Sequence, residues 1–384
     1  MQHNALAIVI PAFNRPQALK RLLGSLQQAR YPTQIEVPLY LAIDAETPGQ
    51  CNADVLQMAR AFPWPHGPKT VLETDQPLGL RDNILRCGEL TAKHQGIILL
   101  EDDLWVSPVF YEAAQQLFDG YHGQENIGAI SLYGFRYNEH ARRPFVPIAD
   151  GHDVFFVQTS SSWGQIWWSE VWAPFKAFLE SDIPTAPHNI PADIPHWPNS
   201  WKKDHIHFLA TKDWYSVVPR TSFTTNMGDG GKNHSALPHL LQADVALNNP
   251  LYQLCALADS GAVYDAFFEP TPATIQRAFP DLTSPMEADF YGIKPLSFLK
   301  GKRCISAKSA TQYHARYEHL LRPDAMNLAL PTEDGFFYEA QGDHLEKMTE
   351  QRYLALLEKD HPSFSGRDGF KLSWSKLRKK IFRD

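Results

Sequence analysis

Three consecutive acids, Glu101-Asp102-Asp103, follow the apolar run Ile97-Ile98-Leu99-Leu100 and precede Leu104 and Trp105. Like charges a few ångströms apart repel strongly at low dielectric, so such a cluster at the end of a buried strand is costly unless something neutralises it. A divalent cation removes the conflict. Hard oxygen ligands suit Mg²⁺ or Mn²⁺, which share their coordination sphere with substrate phosphates and water. The triplet therefore predicts a metal-bridged diphosphate; the structural alternative is an acidic loop facing solvent or helix N-termini. No G-x-x-x-x-G-K-[ST] is present, no G-x-G-x-x-G follows the first apolar run, and the Gly228-Asp229-Gly230-Gly231 turn specifies little by itself. What remains is an enzyme that uses a nucleotide diphosphate as a leaving group.

Other chemistry-bearing residues are less organised. His205 and His207 are one residue apart and no third ligand has metal spacing, which disfavours zinc. Ser160-Ser161-Ser162 lacks the G-x-S-x-G elbow of a serine hydrolase. Cys51, Cys87, Cys255 and Cys304 form no C-x-x-C pair, so reduced, mostly buried thiols are expected.

The elements that must position the acids are readable from hydropathy. Ala5 to Ile10, closed by Pro11, is a continuous apolar run of the kind a central parallel strand shows. Asn14 is placed to cap a following helix with Pro16 in its first turn and a stripe of Leu19, Leu22, Leu23 and Leu26. Leu39 to Ile43 before Asp44, Thr70 to Glu73, and Gly96 to Leu100 read as further strands. Helices are expected at Leu80 to Lys93 and, capped by Ser107, at Val109 to Tyr121. Alternation of this kind predicts an α/β fold with an open, mostly parallel sheet and helices on both faces, with ligands at the carboxyl ends of its strands. Asp44 and the acidic triplet both fall at such ends.

The chain has 384 residues, enough for two or three compact units at roughly 150 residues each. Its net charge of -7 provides no global basic field, so no nucleic-acid partner is expected. Seven tryptophans, Trp163, Trp167, Trp168, Trp172, Trp197, Trp201 and Trp214, crowd one stretch and are expected mainly in the core, with a saccharide-stacking wall as the alternative. Signal-peptide and membrane-spanning patterns are lacking, which predicts a cytoplasmic protein. Its tail, Lys371 to Asp384, carries six basic residues against Asp384, and Phe370, Trp374, Leu377 and Ile381 would share one helical face. This tail is expected to attach the protein peripherally to an anionic membrane surface, the alternative being a solvated helix on its own domain.

Taken in order, several motifs resemble those of the GT-A glycosyltransferases. They are Ile8-Val9-Ile10-Pro11-Ala12-Phe13-Asn14-Arg15-Pro16, Gly79-Leu80-Arg81, Leu99-Leu100-Glu101-Asp102-Asp103-Leu104, Trp163-Gly164, Asn199-Ser200-Trp201, Asn226-Met227-Gly228 and Asn233-His234. The likeness is to bacterial sugar transferases akin to the N-acetylglucosaminyltransferase I type, whose motif is also E-D-D, and it covers roughly residues 5 to 240. It implies a GT-A-like fold in which residues 1–125 bind the nucleotide sugar, 126–270 bind the acceptor, and 271–384 form a mainly helical extension.

By the same resemblance, Pro11, Ala12 and Arg15 border the base and ribose, Asp44 contacts base or ribose, and Arg81 lies near the diphosphate. Asp103 is the direct ligand of Mn²⁺ or Mg²⁺, Glu101 and Asp102 touch ribose or metal-bound water, and His234 lies near the metal. The implied reaction is an inverting transfer of a hexosyl or N-acetylhexosaminyl group from a nucleotide diphosphate sugar to a hydroxyl of a saccharide or lipid-linked glycan. Polysaccharide or lipopolysaccharide biosynthesis is its setting.

Such a transfer needs a base for the acceptor hydroxyl. The related transferases carry an acid just after the tryptophan matching Trp201, whereas here Lys202 and Lys203 intervene and Asp204 is the first carboxylate. Asp204 is the expected base, with Asp193 or Asp213 as alternatives, or with no base at all. The last case leaves a non-catalytic nucleotide-sugar or glycan binding protein. A sugar nucleotidyltransferase would want a glycine-rich basic loop after the first strand, which is lacking.

Overall fold

The computed structural model describes residues 5–181, 189–228, 241–248 and 253–360. The chain divides into two compact units. One comprises Met1–Phe135, His152–Pro184 and Pro198–Ala256, the other Arg136–Gly151, Thr185–Trp197 and Leu257–Asp384.

The first half of the chain runs β1 (Ala7–Ala12), α1 (Pro16–Gln28), β2 (Leu39–Ile43), β3 (Ala45–Thr47), β4 (Gln50–Cys51), α2 (Ala53–Ala61), β5 (Lys69–Glu73), α3 (Leu80–Gly88), β6 (Ile97–Leu99), β7 (Leu104–Val106), α4 (Phe110–Tyr121) and β8 (Ile127–Ser131). Then come β9 (Tyr137–Asn138), β10 (Arg143–Pro144), β11 (Val154–Val157), β12 (Gln165–Trp167), α5 (Ser169–Leu179), α6 (Trp201–Lys212), β13 (Tyr215–Pro219) and β14 (Thr224–Asn226).

In the first unit the main sheet runs β11-β13-β8-β12-β6-β1-β2-β5. Every residue of β1 is buried, as its unbroken apolar run requires. β1 lies parallel to β2 and β6, with Ile8 opposite both Leu39 and Ile98, and β2 lies parallel to β5. β12 is antiparallel to both its neighbours, and β8 and β13 pair in parallel. The fold is thus α/β with a large, mostly parallel sheet and helices packed on it, as the hydropathy pattern predicts. Because β1, β2 and β6 are parallel and in register, the residues after Ala12, Ile43 and Leu99 emerge at one edge.

Local details differ from expectation at the helix ends. α1 takes Arg15, not Asn14, as its N-cap, and no side chain caps it. α3 stops at Gly88 and passes into a tight turn over Glu89–Ala92. Gly88 lies so close to the Trp172 ring that no β-carbon fits between them. Ser107 does accept a hydrogen bond from the Val109 amide, at 3.2 Å, just before α4. Trp163, Trp167, Trp168, Trp172 and Trp201 are buried and Trp197 and Trp214 half-buried, which bears out a mainly core role. All four cysteines are free thiols, three of them buried.

The second unit ends with β15 (Val263–Tyr264), α7 (Pro272–Ala278), β16 (Glu287–Asp289), α8 (Leu296–Leu299), β17 (Arg303–Ser306), β18 (Ala315–Tyr317), β19 (Phe337–Gln341) and α9 (Glu350–Asp360). The mainly helical extension expected here is corrected by a four-stranded sheet, β16-β17-β19-β18, flanked by short helices. Its strands are three to five residues long and bury ionic side chains such as Asp289 and Glu339, so hydropathy gives them no strand signature. No helix among the described residues is long and apolar enough to cross a membrane. The basic tail, Lys371 to Asp384, lies outside the described residues.

Candidate functional site

The acids occupy the turn between β6 and β7, at the carboxyl edge of the parallel strands. β7 pairs antiparallel with β14, placing Asn226 opposite Leu104, and the Met227 amide donates to the Asp103 carbonyl at 3.2 Å. The Asn226 side chain in turn accepts from the Gly228 amide at 2.7 Å. Two motifs more than a hundred residues apart are thus joined by backbone.

Arg15, at the start of α1, reaches the same turn. Its guanidinium donates to Asp103 Oδ2 at 2.7 Å and to Asp102 Oδ1. Burial pulls the Arg15 pKa down, but Asp102 and Asp103 overcome this and raise it. One arginine does not satisfy three acids: Asp103 Oδ1 and Glu101 Oε1 are buried and meet no partner among the described residues. Burial pushes the Glu101 carboxyl up to about 8, with Asp103 and Asp102 adding to the shift and Arg15 and a hydrogen bond from Trp201 opposing it. Asp102 is pushed up to about 6 by burial, against the pull of Arg15.

α6 presents Asp204 near this turn. Ser200 caps it by accepting from the Lys203 amide at 3.3 Å, so Trp201 and Asp204 fall in the first turn. Trp201, in that turn, acts on the Glu101 carboxyl and lowers its pKa. Asp204 Oδ2 accepts from Arg81 Nε at 2.8 Å, and Arg81 Nη1 reaches Asp82 at 2.9 Å. Burial lowers the Arg81 pKa, yet Asp204 and Asp82 raise it overall.

Asp44 holds the approach to Arg81. Its Oδ1 accepts from Thr74 Oγ1 at 3.1 Å and the Leu78 amide at 2.9 Å, and its Oδ2 from the Gly79 amide at 2.8 Å. Gly79 takes φ +79° there, a left-handed conformation that favours glycine. Most of the acceptor capacity of Asp44 is therefore spent on the segment between β5 and α3.

The predicted residues fall into distinct groups. Glu101, Asp102, Asp103 and Arg15 form one cluster, Arg81 and Asp204 form a pair on α3 and α6, and Asp44 braces the turn before α3. Pro11 and Ala12 are buried at the end of β1. His234 lies outside the described residues. Of the alternative bases, Asp213 sits at the far end of α6 and accepts from Gln158 and Tyr215. Asp193, in the second unit, lies 3.0 Å from His140 Nδ1.

His205 and His207 face the interior. His205 Nδ1 is 2.5 Å from Ser160 Oγ, and burial lowers its pKa to about 3 despite a backbone hydrogen bond with Gly128. Sequence reasoning missed the Arg15 bridge and the Trp201 bond. The only available signals were an arginine after β1 and a tryptophan three residues before Asp204.

The donor set is all carboxylate oxygen with two buried oxygens left over, the ligand type a hard divalent ion such as Mn²⁺ or Mg²⁺ takes, although the three acids do not bring one ligand atom each within 4.8 Å of one another. No protein-family model matches the sequence, and no curated protein does. Solved structures give distant likenesses. S. aureus TarS 1-349 is 13% identical over 57% of this chain and 59% of its own, with a TM-score of 0.37. The same protein in complex with UDP-GlcNAc is 12% identical over 60% of each chain, with a TM-score of 0.39. The mannosyltransferase PcManGT from Pyrobaculum calidifontis, in complex with GDP-Man and Mn²⁺, is 13% identical over 60% of this chain and 59% of its own, with a TM-score of 0.38. The chain spans about three fifths of the length of the solved chains it matches. At TM-scores this low, function rests on the site itself.

Proposed function

We propose that the protein is a metal-dependent, inverting glycosyltransferase that moves a hexosyl or N-acetylhexosaminyl group from a nucleotide diphosphate sugar to a hydroxyl of a saccharide or glycolipid. One observation carries this reading: of three acids at the carboxyl edge of parallel strands, two share a single arginine, and two buried oxygens, on Glu101 and Asp103, have no partner among the described residues. Open α/β sheets bind ligands at that edge.

In this reading Asp103 is the direct ligand of Mn²⁺ or Mg²⁺, joined by His234, and Glu101 and Asp102 contact ribose or metal-bound water. When bound, the ion offsets the charge of the departing diphosphate. Pro11, Ala12, Arg15 and Asp44 serve the base and ribose, and Arg81 serves the diphosphate. Asp204, which accepts from Arg81 Nε at 2.8 Å, takes the acceptor hydroxyl proton. Residues 1–125 serve the donor, 126–270 the acceptor, and Lys371 to Asp384 an anionic membrane surface.

A thermal-shift panel of nucleoside diphosphates and their sugars, with and without Mn²⁺, tests donor binding, because a ligand of the folded form raises apparent stability. Sugar nucleotides should stabilise the protein chiefly when Mn²⁺ is present. No stabilisation by any nucleotide would count against the assignment. Asp204→Asn should lower kcat by at least ~100-fold.

The Arg81–Asp204 pair also favours a second reading, because one oxygen of the Asp204 carboxylate is already engaged by a guanidinium. A non-catalytic nucleotide-sugar binding protein would bind donor without either transfer or hydrolysis.

A further inference from the structure

Arg15 carries one positive charge into a turn of three acids, and no other basic side chain is seen to hydrogen-bond that turn among the described residues. Its two Nη atoms divide between two carboxylates, the 2.7 Å contact being with Asp103 Oδ2. Asp103 is thus half engaged: one oxygen faces Arg15 and the other, Oδ1, is buried and unpartnered. The Arg15 side chain itself keeps 27% of its surface open to solvent, and Asn14 beside it is exposed. The guanidinium therefore has room to leave.

We propose that Arg15 is a resident counter-cation which a divalent ion displaces from Asp103, and which then turns to the diphosphate of the donor. The inference rests on reading the triplet as a metal and diphosphate site. Two cations on one carboxylate repel each other at short range and low dielectric, so ion and guanidinium compete for Asp103. A planar guanidinium with five N–H donors suits phosphate oxygens as well as carboxylates, and the release of one partner makes it available to the other. Metal binding then raises donor affinity, and by linkage donor binding raises metal affinity by the same factor. This adds a donor-binding role for Arg15 at the diphosphate to the one proposed for it beside base and ribose.

The test is Mn²⁺ titration of the full-length chain, followed by electron paramagnetic resonance of the free ion, with and without UDP or GDP added separately. Arg15→Ala should bind Mn²⁺ alone about 10-fold more tightly than the parent protein, and the gain in Mn²⁺ affinity on adding nucleotide should shrink to the part that direct contact between ion and diphosphate supplies. Arg15→Lys should fall between the two. Unchanged or weaker binding of Mn²⁺ alone by Arg15→Ala, or a nucleotide-dependent gain equal to the parent's, would overturn the proposal. Circular dichroism checks the fold; if the alanine variant does not fold, Arg15→Gln is read by the same criteria. A parent protein that takes up no Mn²⁺ under any of these conditions removes the metal-site reading itself. A parent that binds, beside an Arg15→Ala variant that behaves identically, removes this inference alone.

Discussion

The two units pair their buried acids to different extents. In the second unit, Lys294 Nζ lies 2.5 Å from both Asp265 and Glu287, Lys302 reaches Glu287 at 3.2 Å, and Lys308 reaches Asp289 at 2.6 Å. Three lysines thus meet three carboxylates. The fourth acid, Glu269, has its pKa pushed well up by burial despite Lys294, which favours its neutral form. In the first unit one arginine meets two of three acids, and two buried oxygens, on Glu101 and Asp103, have no partner among the described residues. Glu269 Oε2 is also buried without a partner among the described residues, so the contrast is one of degree: four acids to three lysines in the second unit, three acids to one arginine in the first. Burial alone does not separate the two, since Asp289 and Asp103 are both buried.

The largest effect should come from breaking the balanced network. Asp289→Asn leaves the buried Lys308 ammonium without its carboxylate and should cost about 3–5 kcal/mol of apparent stability in urea unfolding. A cost below ~1 kcal/mol would erase the distinction between the units.

In the deficient cluster the pattern should invert. Asp103→Asn should cost the metal-free protein about 1 kcal/mol or less, yet remove the Mn²⁺-dependent thermal shift. A large loss of metal-free stability would instead make the triplet structural.

A further effect concerns pH, and it sets His205 apart from the acids. Its folded-state pKa of about 3 lies below the ordinary histidine value, so the unfolded chain takes up a proton that the folded chain refuses. The stability tied to its neutral form is full above the ordinary histidine range and is lost as pH falls toward 3. His205→Asn should flatten the pH dependence of urea unfolding between about pH 6 and 4 by close to one proton. An unchanged slope would show that His205 does not titrate this way.

The parts legible in the sequence were those written in local patterns. Runs such as Ile8 to Ile10 and Ile97 to Leu99 announced parallel strands, and the position of Glu101-Asp102-Asp103 after one of them marked the candidate site. Pairings across long separations were not legible. Arg15 meets Asp102 and Asp103 across 87 and 88 residues, and Arg81 meets Asp204 across 123, distances over which hydropathy and spacing carry no information. The sheet of the second unit escaped for a related reason: Asp289, Ser306 and Lys308 are buried as bonded partners, and a pattern based on apolarity reads them as surface. Asn14 failed as a cap because Arg15 takes that position and aims its side chain at the acids.

The tryptophans behind the acids have an optical consequence. Trp201, which acts on the Glu101 carboxyl, sits edge-on to Trp167 with ring centres 5.2 Å apart, and Trp167 lies 5.3 Å from Trp172. Indoles this close exchange excitation, so any event that alters the Glu101 carboxyl reaches a coupled chromophore. The emission and near-ultraviolet dichroism of the unlabelled protein therefore report on its acidic turn directly.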